Sequence, residues 1–138
     1  MNTLRAVRRA REPQGCLLAA LLVLVLAGCT APSASERPEI VFFSREGCDH
    51  CSRMKEALRP LLDEYSGLAV RYVDFGASAG KSLLQRLAPR YGLQTSFDLP
   101  VILVCDKAIV GEGRPQELAL RNAVAACAST SSCRTPLQ

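Results

Sequence analysis

The four residues Cys48-Asp49-His50-Cys51 stand between two segments of different periodicity, and that junction limits what the chain can fold into. Ahead of them, Glu39-Ile40-Val41-Phe42-Phe43 is a short run of strand-forming residues that ends in the turn-like Ser44-Arg45-Glu46-Gly47. After them, Cys51, Met54, Leu58, Leu61, Leu62 and Tyr65 recur every three or four residues and make one apolar helix face. The cysteine pair therefore opens a helix. A helix start presents unpaired N–H groups and the positive end of the helix dipole, so a thiolate is favoured there, with a pKa lowered from about 8.5 into the range of roughly 3.5 to 7.5. Cys48, before the first turn, is expected to be the exposed attacking sulfur. Cys51, one turn on, is expected to face the core and act as the resolving thiol. His50 adds a proton-sensitive donor or positive charge beside them, and Asp49 a negative charge that works against the thiolate.

The remaining pattern supplies the elements around this junction. Pro60 falls within the first helix and is expected to kink it. Leu68 to Phe75 reads as a second strand, and residues from about Ala79 to Tyr91 as a second helix with Leu83, Leu84 and Leu87 inward. Asp98-Leu99-Pro100 leads into the buried-type strand Val101 to Cys105, which Asp106-Lys107 turn into Ala108-Ile109-Val110. A last helix begins near Pro115 and carries Leu118, Leu120, Val124 and Cys127. The order β-α-β-α-β-β-α predicts an α/β domain over residues 39–127, with a four-stranded mixed sheet and helices on both faces. Residues 128–138 read as an irregular polar tail.

The amino end belongs to something else. Four Arg within the first eleven residues precede an unbroken apolar stretch from Cys16 to Ala27, the charged and then apolar order of a secretory signal over residues 1–28. The stretch is shorter than the roughly 20 apolar residues of a spanning helix. Its end, Leu26-Ala27-Gly28-Cys29, resembles the lipobox of bacterial lipoproteins, whose cysteine receives lipid, palmitate included, and becomes the first residue. That resemblance implies lipidation at Cys29, a membrane held by the lipid anchor, and a place in the bacterial cell envelope facing the periplasm or outside. Residues 29–38, rich in Ala, Pro and Ser, read as a flexible tether. The whole chain has 17 basic and 13 acidic residues, a net charge of +4, and the signal holds most of that excess. A nearly neutral remainder without Trp gives no basic or stacking surface for nucleic acid.

Over about residues 39–127 the chain resembles the thioredoxin-like superfamily. The matching features are the strand Ile40 to Phe43, the Cys48-x-x-Cys51 at the next helix start, the helix proline Pro60, and Pro100 before a strand. The Cys-x-His-Cys form looks most like periplasmic disulfide oxidoreductases and disulfide isomerases. The resemblance implies a thiol-disulfide oxidoreductase with Cys48, Cys51 and His50 as catalytic residues and Cys48–Cys51 as a redox-active disulfide. It further implies a cis Leu99–Pro100 bond, with Leu99 and Pro100 shaping the substrate groove. Protein thiols or disulfides would be the substrates, a membrane redox partner would exchange electrons, and no small-molecule cofactor is needed. Gly47 replaces the family's Trp, Asp49 its Pro or Gly, and Phe42 its buried acid, so the direction of exchange does not carry over.

Three other uses of the pair are open to the sequence. Half a zinc site wants further ligands, and the one His is His50 itself. A Cu(I) or other soft-metal carrier would use the same two sulfurs, and an inert structural disulfide would use them for stability alone. Gly76 to Ser82 follows a strand and ends in Gly-Lys-Ser, yet it is one residue short of a phosphate-binding loop. Cys105, Cys127 and Cys133 remain, and either a Cys105–Cys127 or a Cys127–Cys133 bridge leaves one thiol over.

Overall fold

Strand β1 (Glu39–Ser44) is apolar on both faces, and the other elements are arranged to cover it. The computed structural model describes residues 39–94, 96, 98–130 and 133–137. The expected signal (1–28), tether (29–38) and Cys29 lie outside these residues. Strand β2 (Ala69–Asp74) pairs with β1 in parallel, and β3 (Val101–Val104) pairs with its other edge antiparallel. Strand β4 (Lys107–Val110) closes the sheet as the hairpin partner of β3, giving the order β2-β1-β3-β4.

Ile40, Phe42, Ile102 and Val104 point to one face of this mixed sheet, where helices α1 (Asp49–Glu64) and α3 (Arg114–Ser129) cover them. Val41, Phe43, Val101 and Leu103 point to the other, beneath Leu84 of helix α2 (Ser78–Leu87). Burial on both faces explains why β1 and β3 read as unbroken apolar runs instead of alternating ones. The architecture is the expected one, a thioredoxin-like α/β domain with helices on both faces of a four-stranded mixed sheet. Among the described residues no helix is long and apolar enough to cross a membrane.

Three details differ from the sequence reading. Helix α1 runs through Pro60 as one element to Glu64, held on both sides of the proline by buried Leu58 and Leu61. The second helical run is divided: α2 stops at Leu87 and a 3-10 turn spans Ala88–Tyr91, because Pro89 cannot donate the next helical hydrogen bond. Leu118, one of the apolar residues that the last helix carries, is 60% exposed, whereas Leu120, read as flanking, joins Val124 and Cys127 in the buried face of α3. Leu118 lies two residues before Leu120, about 200° round the helix from it.

Candidate functional site

Glycine shapes the approach to the cysteine motif. Gly47 has φ 69°, a left-handed value that a side chain disfavours, and it ends the turn that carries β1 into α1. Cys48 is then the N-cap of α1: its backbone is extended and its Sγ accepts the N–H of Cys51 at 3.1 Å. The two sulfurs are joined as a disulfide, with Cα atoms 5.2 Å apart. Cys48 is half-buried, and Cys51 is 1% exposed within the cluster of Ile40, Phe42 and Met54. One sulfur thus faces outward with a backbone donor aimed at it, and the other is sealed beneath. Such a pair can exchange disulfides or hold a soft metal ion.

His50 is exposed, and it has one partner on its own helix and one from far along the chain. Its Nδ1 lies 2.8 Å from Glu112 Oε1 and 3.1 Å from Arg53 Nη2. Arg53 grips the same carboxylate with both arms, Nε to Oε2 at 2.6 Å and Nη2 to Oε1 at 2.7 Å. The Arg53 hydrogen bonds, followed by that of His50, hold the Glu112 carboxyl down at about 2, and the bond to Glu112 raises Arg53 in turn. When Nδ1 carries a proton it donates to Glu112; without one it accepts from Arg53. Neither Arg53 nor Glu112 was among the expected site residues. Arg53 had a weak signal, three positions beyond His50 on the same helix side. Glu112 had none beyond its place between Gly111 and Gly113.

The second loop at the site contains Leu99 and Pro100. Their peptide bond is cis; Pro100 is buried and Leu99 packs half-buried against the same cluster as Cys48. The Pro100 carbonyl accepts the Gly111 N–H at 2.8 Å, which ties this loop to the one that presents Glu112. Phe42, where the family buries an acid, is fully buried with its ring 5.5 Å from that of Tyr72, and the Lys55 ammonium lies 5.7 Å above the Phe42 ring. Among the described residues the buried polar group is Ser44, so no carboxylate lies beneath Cys51 to handle its proton.

The Gly76–Ser82 segment is built for packing. A Cβ on Gly80 would lie 2.0 Å from the Asp74 carbonyl oxygen, so glycine is what lets α2 sit against the end of β2. The turn amide of Gly76 donates to Asp74 Oδ1 at 2.7 Å, which puts a carboxylate where a phosphate cradle would need an anion.

No protein family and no solved structure matches the sequence. The chain is 29% identical over 113 residues to a thymidylate kinase of Solidesulfovibrio magneticus, an alignment covering 76% of this chain. It spans about half the length of that relative, 53%.

Proposed function

We propose that the chain is a thiol-disulfide oxidoreductase of the thioredoxin-like, lipid-anchored type, exchanging disulfides with protein substrates outside the cytoplasm. One observation carries this reading: Cys48 Sγ is the N-cap acceptor of α1, half-exposed, and bonded to a Cys51 that solvent does not reach. A substrate thiolate attacks Cys48 Sγ, and Cys51 leaves as the thiolate. In the reverse direction the Cys48 thiolate attacks a substrate disulfide, and Cys51 then attacks Cys48 Sγ and expels the substrate thiol. The Cys51 N–H and the helix end favour Cys48 as the leaving or attacking thiolate. The groove beside Leu99 and Pro100 receives the substrate chain. The rival use as a Cu(I) carrier would use the same two sulfurs, with His50 Nε2 as a further nitrogen. The thymidylate kinase likeness points to phosphate chemistry, which the Asp74 and Gly80 geometry does not favour.

The deciding experiment measures insulin reduction by the reduced chain together with the potential of the Cys48–Cys51 couple. A potential near about −270 mV marks a reductant and one near about −120 mV an oxidant. Tight Cu(I) retention with no disulfide exchange would sink the enzyme reading, as would a Cys48 that alkylates at pH 6 no faster than an ordinary thiol.

A further inference from the structure

A second group of sulfurs lies at the opposite end of the sheet. Cys105 follows β3, whose register sets Val104 against Ile40, the start of β1, while the cysteine motif follows that strand's far end. Cys127 is in the last turn of α3, and Cys133 returns from the segment beyond. The three sulfurs all lie within 4.8 Å of one another. The Cα–Cα separations, 5.1 Å from Cys133 to Cys105 and 5.2 Å from Cys133 to Cys127, are each within the span of a disulfide. A sulfur closes one disulfide. Whichever pair forms, the third sulfur therefore stays beside it.

Two further observations indicate that the cluster is accessible and held. The three cysteines line a cavity of about 600 Å3 whose wall also carries Arg90, Lys107 and Arg134. Asp106 offsets the charge of Lys107 through their 3.2 Å pair, and Arg134 adds a positive charge to the same wall. Cys105 itself has φ 51°, at the first of the two residues joining β3 to β4, a place where hairpins of this kind take glycine. Tyr91 pins that turn by donating its hydroxyl to the Cys105 carbonyl at 2.8 Å. A side chain kept in such a conformation points to use of the side chain.

We propose that Cys105, Cys127 and Cys133 form a second thiol-disulfide centre, with Cys133 as the shared partner, that is oxidised by small carboxylate-bearing disulfides. The Cys105 thiolate attacks such a disulfide, forming a mixed disulfide and releasing one small thiolate. Cys133 then attacks Cys105 Sγ and releases the second. Two protein thiols have been oxidised and one small disulfide reduced to two thiols. The Cys127 thiolate can next attack Cys133 Sγ, forming Cys127–Cys133 and freeing Cys105, with no net change of redox state. Carboxylates on the small molecule meet the cationic wall. The inference does not rest on the function proposed for Cys48 and Cys51.

The test uses the full chain carrying Cys48→Ser and Cys51→Ser, reduced and then exposed to glutathione disulfide or to the cationic cystamine. Thiols are trapped by alkylation and pairings read by fragment-resolved mass spectrometry. The proposal expects Cys105–Cys133 and Cys127–Cys133 in one sample, with one of the three cluster sulfurs alkylated per molecule, divided between Cys127 and Cys105, apart from any alkylation at Cys16 and Cys29. Glutathione disulfide should react at least about fivefold faster than cystamine, and adding Cys133→Ser should leave Cys105 as a mixed disulfide with glutathione and slow release of the second small thiol at least about tenfold. Adding Cys105→Gly instead, which suits the turn, should slow the first attack, now left to Cys127 or Cys133, and end in Cys127–Cys133 with neither of these two sulfurs alkylated. A single pairing with an inert third cysteine would overturn the proposal. So would three thiols that stay reduced, a preference for cystamine, or a stoichiometric soft metal held by all three in the purified chain.

Discussion

Glu112 reaches His50 from 62 residues along the chain, its Oε1 2.8 Å from His50 Nδ1, so the loop before the last helix sets the charge around the cysteine motif. Its placement follows from the sheet. Gly111 closes β4 and bonds to the Pro100 carbonyl, and the next residue is thereby delivered to the start of α1. There the carboxylate pairs with Arg53 and engages His50, two groups in the first turns of the helix that Cys48 caps.

Removing that carboxylate should leave both groups uncompensated at the helix start. For Glu112→Ala, the alkylation rate of reduced Cys48 at pH 6 is expected to rise by roughly two- to fivefold, the scale of one exposed charge at a helix end. Stopped-flow alkylation with iodoacetamide checks this. A fall in rate would mean that Glu112 serves the thiolate by orienting His50 and not by withholding charge.

The same carboxylate gives an acid limit. Glu112 titrates at about 2 in the fold, below its ordinary value of 4.5, because Arg53 and His50 bond to the charged form. A depressed carboxyl stabilises the folded state above the unfolded value and loses that contribution as pH falls from about 4.5 to about 2. The melting temperature of the wild type should therefore drop more steeply across this window than that of Glu112→Gln, and the two curves should run parallel above it. Thermal melts by circular dichroism at half-unit pH steps make the comparison.

Unequal burial of the two active sulfurs gives the next expectation. Cys48→Ser leaves a sulfur that is 1% exposed, and insulin reduction should fall by at least about a hundredfold, since attack needs an accessible thiolate. Cys51→Ser keeps the attacking sulfur and removes the resolving one. It should accumulate a mixed disulfide with substrate, visible as a higher-mass band on a non-reducing gel.

Much of this arrangement was legible in the sequence, and what was not has a common cause. Strand β1 announces itself as an unbroken run of strand formers and α1 through an apolar period near four, and the strand-to-helix handover fixes where Cys48 and Cys51 stand. Pairings across the fold leave no local trace. Glu112 sits between two glycines with nothing to connect it to a helix start about sixty residues earlier. The tail cysteines show the same limit: of the two pairings weighed, the structure brings Cys133 to Cys127, and it also brings Cys133 to Cys105 across 28 residues. That approach depends on how a hairpin turn and a helix end meet in three dimensions.

Gly80 is a packing position in a segment whose sequence suggests a nucleotide loop, and substitution separates the two readings. An added Cβ would meet the Asp74 carbonyl oxygen at 2.0 Å, backbone against backbone, so α2 must shift off β2. Gly80→Ala is expected to destabilise the fold by about 1–3 kcal/mol, the usual range for overpacking. Urea unfolding followed by tryptophan-free far-ultraviolet dichroism measures it, and an unchanged midpoint would show that the helix has slack here.

Helix α3 offers the sharpest contrast between sequence pattern and packing. Leu118 and Leu120 are two residues apart and identical in chemistry, yet Leu118 is 60% exposed and Leu120 is fully buried. Leu120, Val124 and Cys127 follow spacings of four and three and so share one stripe against Ile102 and Val104, while Leu118 lies about 200° away from Leu120. Leu120→Ala should cost about 2–5 kcal/mol through lost burial and the cavity left behind. Leu118→Ala should stay within about 0.5 kcal/mol, as surface substitutions away from special features do. Paired urea titrations of the two variants decide the matter: comparable losses would mean that Leu118 is covered in solution by something other than this fold.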